Sequence, residues 1–227
     1  MATFVLRLWL PDRPGALGAV ASRVGAVGGD VVGIEILERG ADRAVDELVV
    51  RLGDGSLVDL LLSEVDQVDG VAIEEVREVA DSVHDPRLDA LETAAVLVGA
   101  ATPADALDAL AEHARSTLGA HWSAVVRLDD ADVVASRGTT PPANWLTAFV
   151  AGSQSAARAA EGAGQAEDVV WAPLPAARAA LVLGREDLPF RVRERRQATA
   201  LARIVDTRFG ELSRLSGRSA HPAGPPD

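Results

Sequence analysis

The 227 residues carry a formal net charge of −12, and 48% of them are hydrophobic. The hydrophobic fraction excludes a disordered chain, and the acidity argues against a nucleic-acid partner, because a phosphate backbone attracts basic surfaces. The chain contains no Cys, and all 22 of its basic residues are Arg. Disulfides, thiolate nucleophiles, zinc–thiolate sites and Schiff-base lysines are therefore excluded.

The acidic residues are distributed unevenly. Residues 1–84 contain 16 acidic and 7 basic residues, a net charge of −9, whereas the remaining residues contain 18 and 15, a net charge of −3. This asymmetry predicts two units with different surfaces. The sequence shows neither a signal-peptide pattern nor an apolar run of about 18 residues, so we expect a cytoplasmic protein without membrane association.

Hydrophobic periodicity over the first 80 residues predicts the order strand, helix, strand, strand, helix, strand. The strands are predicted over 3–10, 30–38, 44–52 and 70–79. An amphipathic helix follows Pro14 and Gly15, and a second helix begins with Ser56 as its N-cap. This order is that of an α+β, ferredoxin-like βαββαβ fold, in which two helices cover one face of an antiparallel sheet.

The turn between the first strand and the first helix is the main candidate site. Its sequence is "LPDRPGALGAV", residues 10–20. Free N–H groups at Gly15, Ala16 and Leu17 are suited to a carboxylate, and Asp12 is suited to an ammonium group. Together they match the two charges of an amino acid. The alternative is that Asp12 merely caps the helix and Gly15 merely serves the turn.

The stretch "DRPGALGAVASRVGAVGGDVVGIEI" and the element order resemble an ACT domain, over residues 1–80. The resemblance implies a regulatory module that binds an amino acid or a similar small metabolite, commonly between two copies. It also implies that Gly33 faces the turn and leaves space beside its neighbours. The implied ligand-binding residues are Asp12, Arg13, Pro14, Gly15, Ala16, Leu17, Val31, Val32, Gly33 and Ile34.

The face of the first sheet opposite the helices carries Val5 and Trp9. Both side chains are unfavourable in water, so we expect a second copy or the second unit to cover them. A homodimer is therefore expected.

The second part of the chain reads as a linker over 81–87, a domain over 88–216 and a disordered tail over 217–227. The predicted elements are helices over 86–97 and from 103, strands over 121–128 and 132–137, a helix after Pro142, strands over 169–174 and 178–184, and a helix over 189–215. This order, with "WSAVVRL", "WAPLP", "AALVLGRED" and "LPFRVRERRQATALARIVDTRF", resembles a short α/β GAF domain. The resemblance implies a relay or dimerisation role.

The other candidate motifs are better explained by structural roles than by binding sites. Asp129, Asp130 and Asp132 are acidic enough for a cation, but their spacing is also that of a solvated hairpin turn. The scattered residues His84, His113, His121 and His221 lack the spacing of a metal site. The basic run at 191–196 could meet an acidic partner, but its nearby acids favour a solvated first helical turn.

These observations lead to a non-enzymatic regulatory protein that needs no cofactor or metal. Its first domain would bind an amino acid or similar metabolite, and its effect would reach a protein partner in trans, since no catalytic domain is attached. The alternatives are a structural adaptor whose domains only oligomerise, and an enzyme whose site forms at the domain junction.

Overall fold

The computed structural model describes residues 1–79, 86–159 and 168–219. The chain divides into two compact units, Met1–Asp89 and Ala90–Asp227. Each unit contains one four-stranded antiparallel sheet. None of the helices in these described ranges is long and apolar enough to cross a membrane.

The N-terminal unit has the predicted βαββαβ order, with strands arranged β2-β3-β1-β4. Its elements are β1 (Ala2–Pro11), α1 (Ala16–Ala26), β2 (Asp30–Arg39), β3 (Arg43–Leu52), α2 (Val58–Asp66) and β4 (Ala72–Val79). The α+β, ferredoxin-like class predicted for this unit is therefore confirmed. The N-cap predicted at Ser56 is wrong. A short 3-10 turn precedes α2, and Asp54 caps it by accepting a hydrogen bond from the Ser56 N–H at 3.0 Å.

Both helices of the N-terminal unit cover the same face of its sheet, as the periodicity predicts. Alternating side chains of β1 and β3 meet the apolar stripes of the two helices. The buried set includes Leu6, Leu8, Leu10, Leu48, Val20, Val24, Leu61 and Val65. Each fully buried side chain of this size contributes about 1.5–3 kcal/mol, so this layer is the main source of stability in the unit.

The opposite face of this sheet is less apolar than its sequence suggests. Val5 is buried beside an ion pair in which the Arg7 guanidinium lies 2.6 Å from a Glu47 carboxylate oxygen. Trp9 is half-buried, and its indole N–H donates to Glu74 at 3.2 Å. The Arg43 guanidinium lies 5.2 Å from the centre of the same ring. Charged neighbours from the same sheet therefore already contact Trp9.

The C-terminal unit has a sheet of order β6-β5-β8-β7. The elements of this part of the chain are α3 (Pro86–Val98, which begins in the N-terminal unit), α4 (Pro103–Thr117), β5 (Trp122–Arg127), β6 (Val133–Arg137), α5 (Ala143–Ala159), β7 (Val169–Leu174), β8 (Ala179–Gly184) and α6 (Val192–Ser219). One sheet face packs against α4 and α6, and the other packs against α5. Because β8 is buried on both faces, its sequence is a continuous apolar run.

Helix boundaries in this unit follow local capping chemistry where it is present. A capping box begins α4, since Thr102 and Asp105 each accept a hydrogen bond from the other's backbone N–H at 3.1 Å. The last helix begins at Val192 rather than 189 and ends at Ser219, so residues 217–219 of the predicted tail are helical. The rest of that tail, most of the linker and residues 160–167 lie outside the described residues.

The basic run at 191–196 is the first turn of α6, as predicted, but it is solvated only in part: Arg193 and Arg196 are exposed, whereas two other residues are not. Arg191 and Glu194 are buried, and Glu194 forms a two-pronged ion pair with Arg185, with both nitrogen–oxygen distances at 2.8 Å. The remaining donors of Arg185 bind the carbonyl oxygens of Leu118, Leu188 and Pro189. This network connects the end of β8 to the first turn of α6.

Candidate functional site

The turn between β1 and α1 depends on glycine. Gly15 is the N-cap of α1 and has φ of 88°, a left-handed conformation that side chains other than glycine rarely adopt. No side chain caps the helix at this position. The expectation that Asp12 caps α1 is therefore wrong. Asp12 is exposed, and its N–H donates to the Asp42 carbonyl oxygen at 3.0 Å, which joins the turn to the β2–β3 hairpin.

Two of the three amides expected to be free at this helix end remain so. The Ala16 N–H donates to the Arg13 carbonyl at 3.3 Å, so it is already engaged. Gly15 and Leu17 have no backbone acceptor for their N–H groups among the residues that the structure describes. A Cβ placed on Gly15 would meet no atom within 4 Å, so the space beside the turn is open. The helix start is therefore accessible to an anionic group.

The other side chains of the turn face solvent. Arg13 lies 3.7 Å from Asp69 in an exposed ion pair, which contributes at most about 1 kcal/mol. Pro14 is exposed beside it. Both residues therefore remain available to a ligand at little cost to the fold.

The β2 residues implied by the ACT resemblance divide into three environments. Val31 packs against the core of the unit, as Leu17 does. A Cβ on Gly33 would lie 3.1 Å from Val49, so the missing side chain accommodates Val49 rather than space beside the turn. Val32 and Ile34 are exposed.

Exposed apolar side chains alternate along β2, which is an edge strand. We call Val32, Ile34 and Ile36 the β2 edge row; they are 40%, 50% and 38% exposed. Such a row on an edge strand favours association with another chain.

Sequence reasoning missed Asp46 on β3. This residue is 6% exposed, and its Oδ1 is buried without a hydrogen-bond partner among the described residues. Burial raises the pKa of Asp46, the Arg39 charge opposes the rise, and the Asp12 charge adds to it. The sequence "RAVDELVV" could have predicted the burial of Asp46, because its alternation places Asp46 on the apolar face with Leu48 and Val50.

The acidic turn of the second unit is occupied by arginine. Arg127 binds Asp130 at 2.9 Å and Asp132 at 3.0 Å, and Arg178 lies 3.3 Å from Asp129. Within residues 1–79, 86–159 and 168–219, no group of three or more His, Asp and Glu could hold a metal ion. His84 and His221 lie outside the described residues.

The C-terminal sheet offers little room for a ligand on its α5 face. Leu146 and Val150 of α5 are buried against it, and Trp145 stacks on Phe149 with ring centres 5.3 Å apart. A cavity of about 170 Å³ lies beside Phe149, Trp171 and Arg195. Ligand pockets are usually about 300–1,000 Å³, so this cavity is small for a metabolite site.

No protein-family model matches the sequence, and no curated protein matches it. Solved structures resemble it at the level of fold. The GAF domain of an Acinetobacter phosphoenolpyruvate-protein phosphotransferase shares 11% identity with a TM-score of 0.42, and the match covers 62% of this chain and 99% of that domain. The chromophore-binding domain of a bacteriophytochrome from R. palustris shares 9% identity with a TM-score of 0.38, over 94% of each chain. These values assign neither a ligand nor an activity to this chain.

Proposed function

We propose that this chain is a non-enzymatic regulatory protein whose N-terminal unit binds an amino acid or a similar small zwitterion at the start of α1. The observation that carries the proposal is the uncapped helix end at Gly15, which is open to solvent. The C-terminal unit relays the bound state or dimerises, and a protein partner acts in trans.

Two charges of opposite sign make the site suitable for a zwitterion. The Gly15 and Leu17 amides lie at the positive end of the α1 dipole, where they favour a carboxylate. The exposed Asp12 carboxylate favours an ammonium group. Each hydrogen bond to a charged group contributes about 1.5–3 kcal/mol, so losing either end of the ligand would weaken binding at least tenfold.

Thermal denaturation of the full chain with each of the twenty amino acids tests this function. A ligand that binds only the folded state stabilises it by about 2.7 kcal/mol at one hundred times its dissociation constant. We expect a saturable rise in melting temperature for one amino acid or a small group of them. Equal melting temperatures with all twenty would contradict the proposal.

Gly15→Ala should destabilise the N-terminal unit by about 1–2 kcal/mol, because alanine is strained at a left-handed φ. Gly18→Ala is the matched control, since Gly18 lies inside α1 with equally open surroundings and no positive φ. The control should be neutral or stabilising by about 0.5–1 kcal/mol. Urea denaturation of both variants measures the difference. Equal effects of the two changes would show that the turn does not require glycine.

A structural adaptor is the second candidate, and the β2 edge row favours it. Two copies that pair β2 against β2 would extend the sheet and cover six apolar side chains. This arrangement accounts for the expected homodimer without any small ligand. It is also compatible with ligand binding, so the two functions must be tested separately.

Ile34→Lys should convert the dimer to a monomer, because it places a charge at the centre of the edge row. Leu60→Lys is the control, since Leu60 is 49% exposed on α2, away from the edge. Light scattering should give a dimer for the parent and for the control. A parent that is monomeric at 23.6 kDa at micromolar concentration would refute the dimer.

A further inference from the structure

We infer that Asp46 is a second carboxylate of the α1 site and that it binds the cationic amine of the ligand. The inference rests on the proposed function and names the ligand class as one that bears a primary amine. Asp12 and Asp46 would hold the amine together, while the amides of α1 hold the anionic group. The helix end alone does not carry this inference; the buried, unpartnered oxygen of Asp46 does.

The cost of burying Asp46 is the first part of the argument. The neighbours directly across the sheet are Leu8 on β1 and Ile36 on β2, and neither can bond a carboxylate. A buried charged group without a partner costs several kcal/mol. An aliphatic residue at this position would fit the alternation of β3 and avoid that cost. Its Oδ1 therefore lacks a hydrogen-bond donor among the described residues, and a bound cation would supply one.

The position of Asp46 is the second part. Leu8 and Leu10 face the helices, and Asp12 follows two residues after Leu10, in the turn that leads to α1. Asp46 lies on the same side of the sheet, opposite Leu8. The charges that act on Asp46 are Asp12 from the turn and Arg39 from the end of β2. Asp46 is thus buried on the sheet face that α1 covers, and the turn before α1 carries a charge that acts on it.

A primary amine fits this region better than a metal ion. An ammonium group needs few acceptors and carries one charge, which two carboxylates balance with Arg39 nearby. Calcium and magnesium require about six to eight oxygen ligands, and no acidic cluster of that kind exists in the described ranges. We therefore assign the site to an amine.

Binding of an amine should be coupled to loss of a proton from Asp46. Burial raises the pKa of this carboxyl, and a bound cation favours its charged form and lowers that pKa. Protonated Asp46 cannot pair with an ammonium group. Affinity should therefore fall as the pH falls through the raised pKa, at a higher pH than for an ordinary carboxyl.

The test compares the full-length parent with Asp46→Asn and with Asp30→Asn, an exposed acid at the start of β2. Calorimetry with the twenty amino acids, their des-amino carboxylic acids and methylammonium chloride gives the affinities across the acidic pH range. We expect the amine-bearing probe to bind the parent and Asp30→Asn equally, and Asp46→Asn at least tenfold more weakly with no such pH dependence.

Each outcome decides the inference. Equal affinity of the bound amino acid for the parent and Asp46→Asn overturns it and leaves the proposed function intact. Des-amino acids that bind as well as amino acids overturn it too. If methylammonium binds the parent but not Asp46→Asn while no amino acid binds, Asp46 holds an amine and the amino-acid function fails. No binding by any probe overturns both.

A second readout needs no ligand. Because the folded chain holds the Asp46 proton more tightly than the unfolded chain does, this carboxyl's contribution to stability is complete below its unfolded pKa and is lost as the pH rises through the folded pKa. Asp46→Asn keeps the shape of the side chain but cannot ionise, so its folding stability does not decrease as the pH rises. It should therefore be more stable than the parent at pH 7. A less stable Asp46→Asn would mean that the carboxylate has a structural partner in the fold, which overturns the inference.

Discussion

Arg185→Leu should destabilise the C-terminal unit by about 3–5 kcal/mol, the usual cost of removing one partner of a buried ion pair. The side chains of Arg185 and Glu194 are only 3% and 7% exposed, so the substitution leaves Glu194 charged and buried. It also removes the donors that bind three backbone carbonyls around the start of α6. Three of the four tryptophans belong to this unit, namely Trp122, Trp145 and Trp171, so urea denaturation followed by tryptophan fluorescence reports mainly on it.

Arg127→Leu is the matched control for that experiment. Arg127 also pairs with two carboxylate oxygens, but its partners Asp130 and Asp132 lie in an exposed hairpin turn. An exposed pair is screened by solvent and contributes little, so this variant should remain close to the parent in stability. Similar losses for both arginines would show that burial of the Arg185 pair does not matter.

Leu6→Ala should destabilise the N-terminal unit by about 2–5 kcal/mol. Leu6 is fully buried at the centre of the sheet, between Leu48 on β3 and Val76 on β4. The substitution removes apolar contacts and leaves a cavity that the surrounding strands fill only in part. Urea denaturation followed by circular dichroism should show a lower midpoint with an unchanged slope.

Leu60→Ala makes the same chemical change on the exposed side of α2. It should alter stability by no more than about 0.5 kcal/mol, because Leu60 is outside the core. A cost for Leu6→Ala that is as small as this control would contradict the assignment of the core face.

The strands and helices of the N-terminal unit were predictable because each element repeats a simple pattern. The strands of the structure begin and end within two residues of the limits predicted from alternation. The start of α1 was predictable in position but not in mechanism. Aspartate before a helix commonly caps it, whereas here a left-handed glycine turns the chain and the side chain of Asp12 is exposed.

The charged residues were harder to predict, because pairs formed across the fold leave no periodic signal. The run at 191–196 has the composition of a solvated helical turn, and its burial depends on Arg185 from the preceding strand. Asp46 is the opposite case. Its position in the alternation of β3 marks it as facing the core, but the missing partner becomes visible only when every neighbouring donor has been located.

The two edges of the N-terminal sheet have different chemistry, and this limits how far copies of the chain can add to one another. Both edge strands carry four charged residues, but β2 also presents the exposed apolar side chains of the β2 edge row, whereas β4, on the other edge, has no exposed large apolar side chain. Charged edge strands oppose pairing with further strands. A molecule with one edge that can pair has no free edge left once two such edges pair around a twofold axis. A filament requires two complementary edges on every molecule. If the proposed β2–β2 pairing forms, we therefore expect growth through this sheet to end at a closed pair, and concentrating the protein should not extend it into fibres.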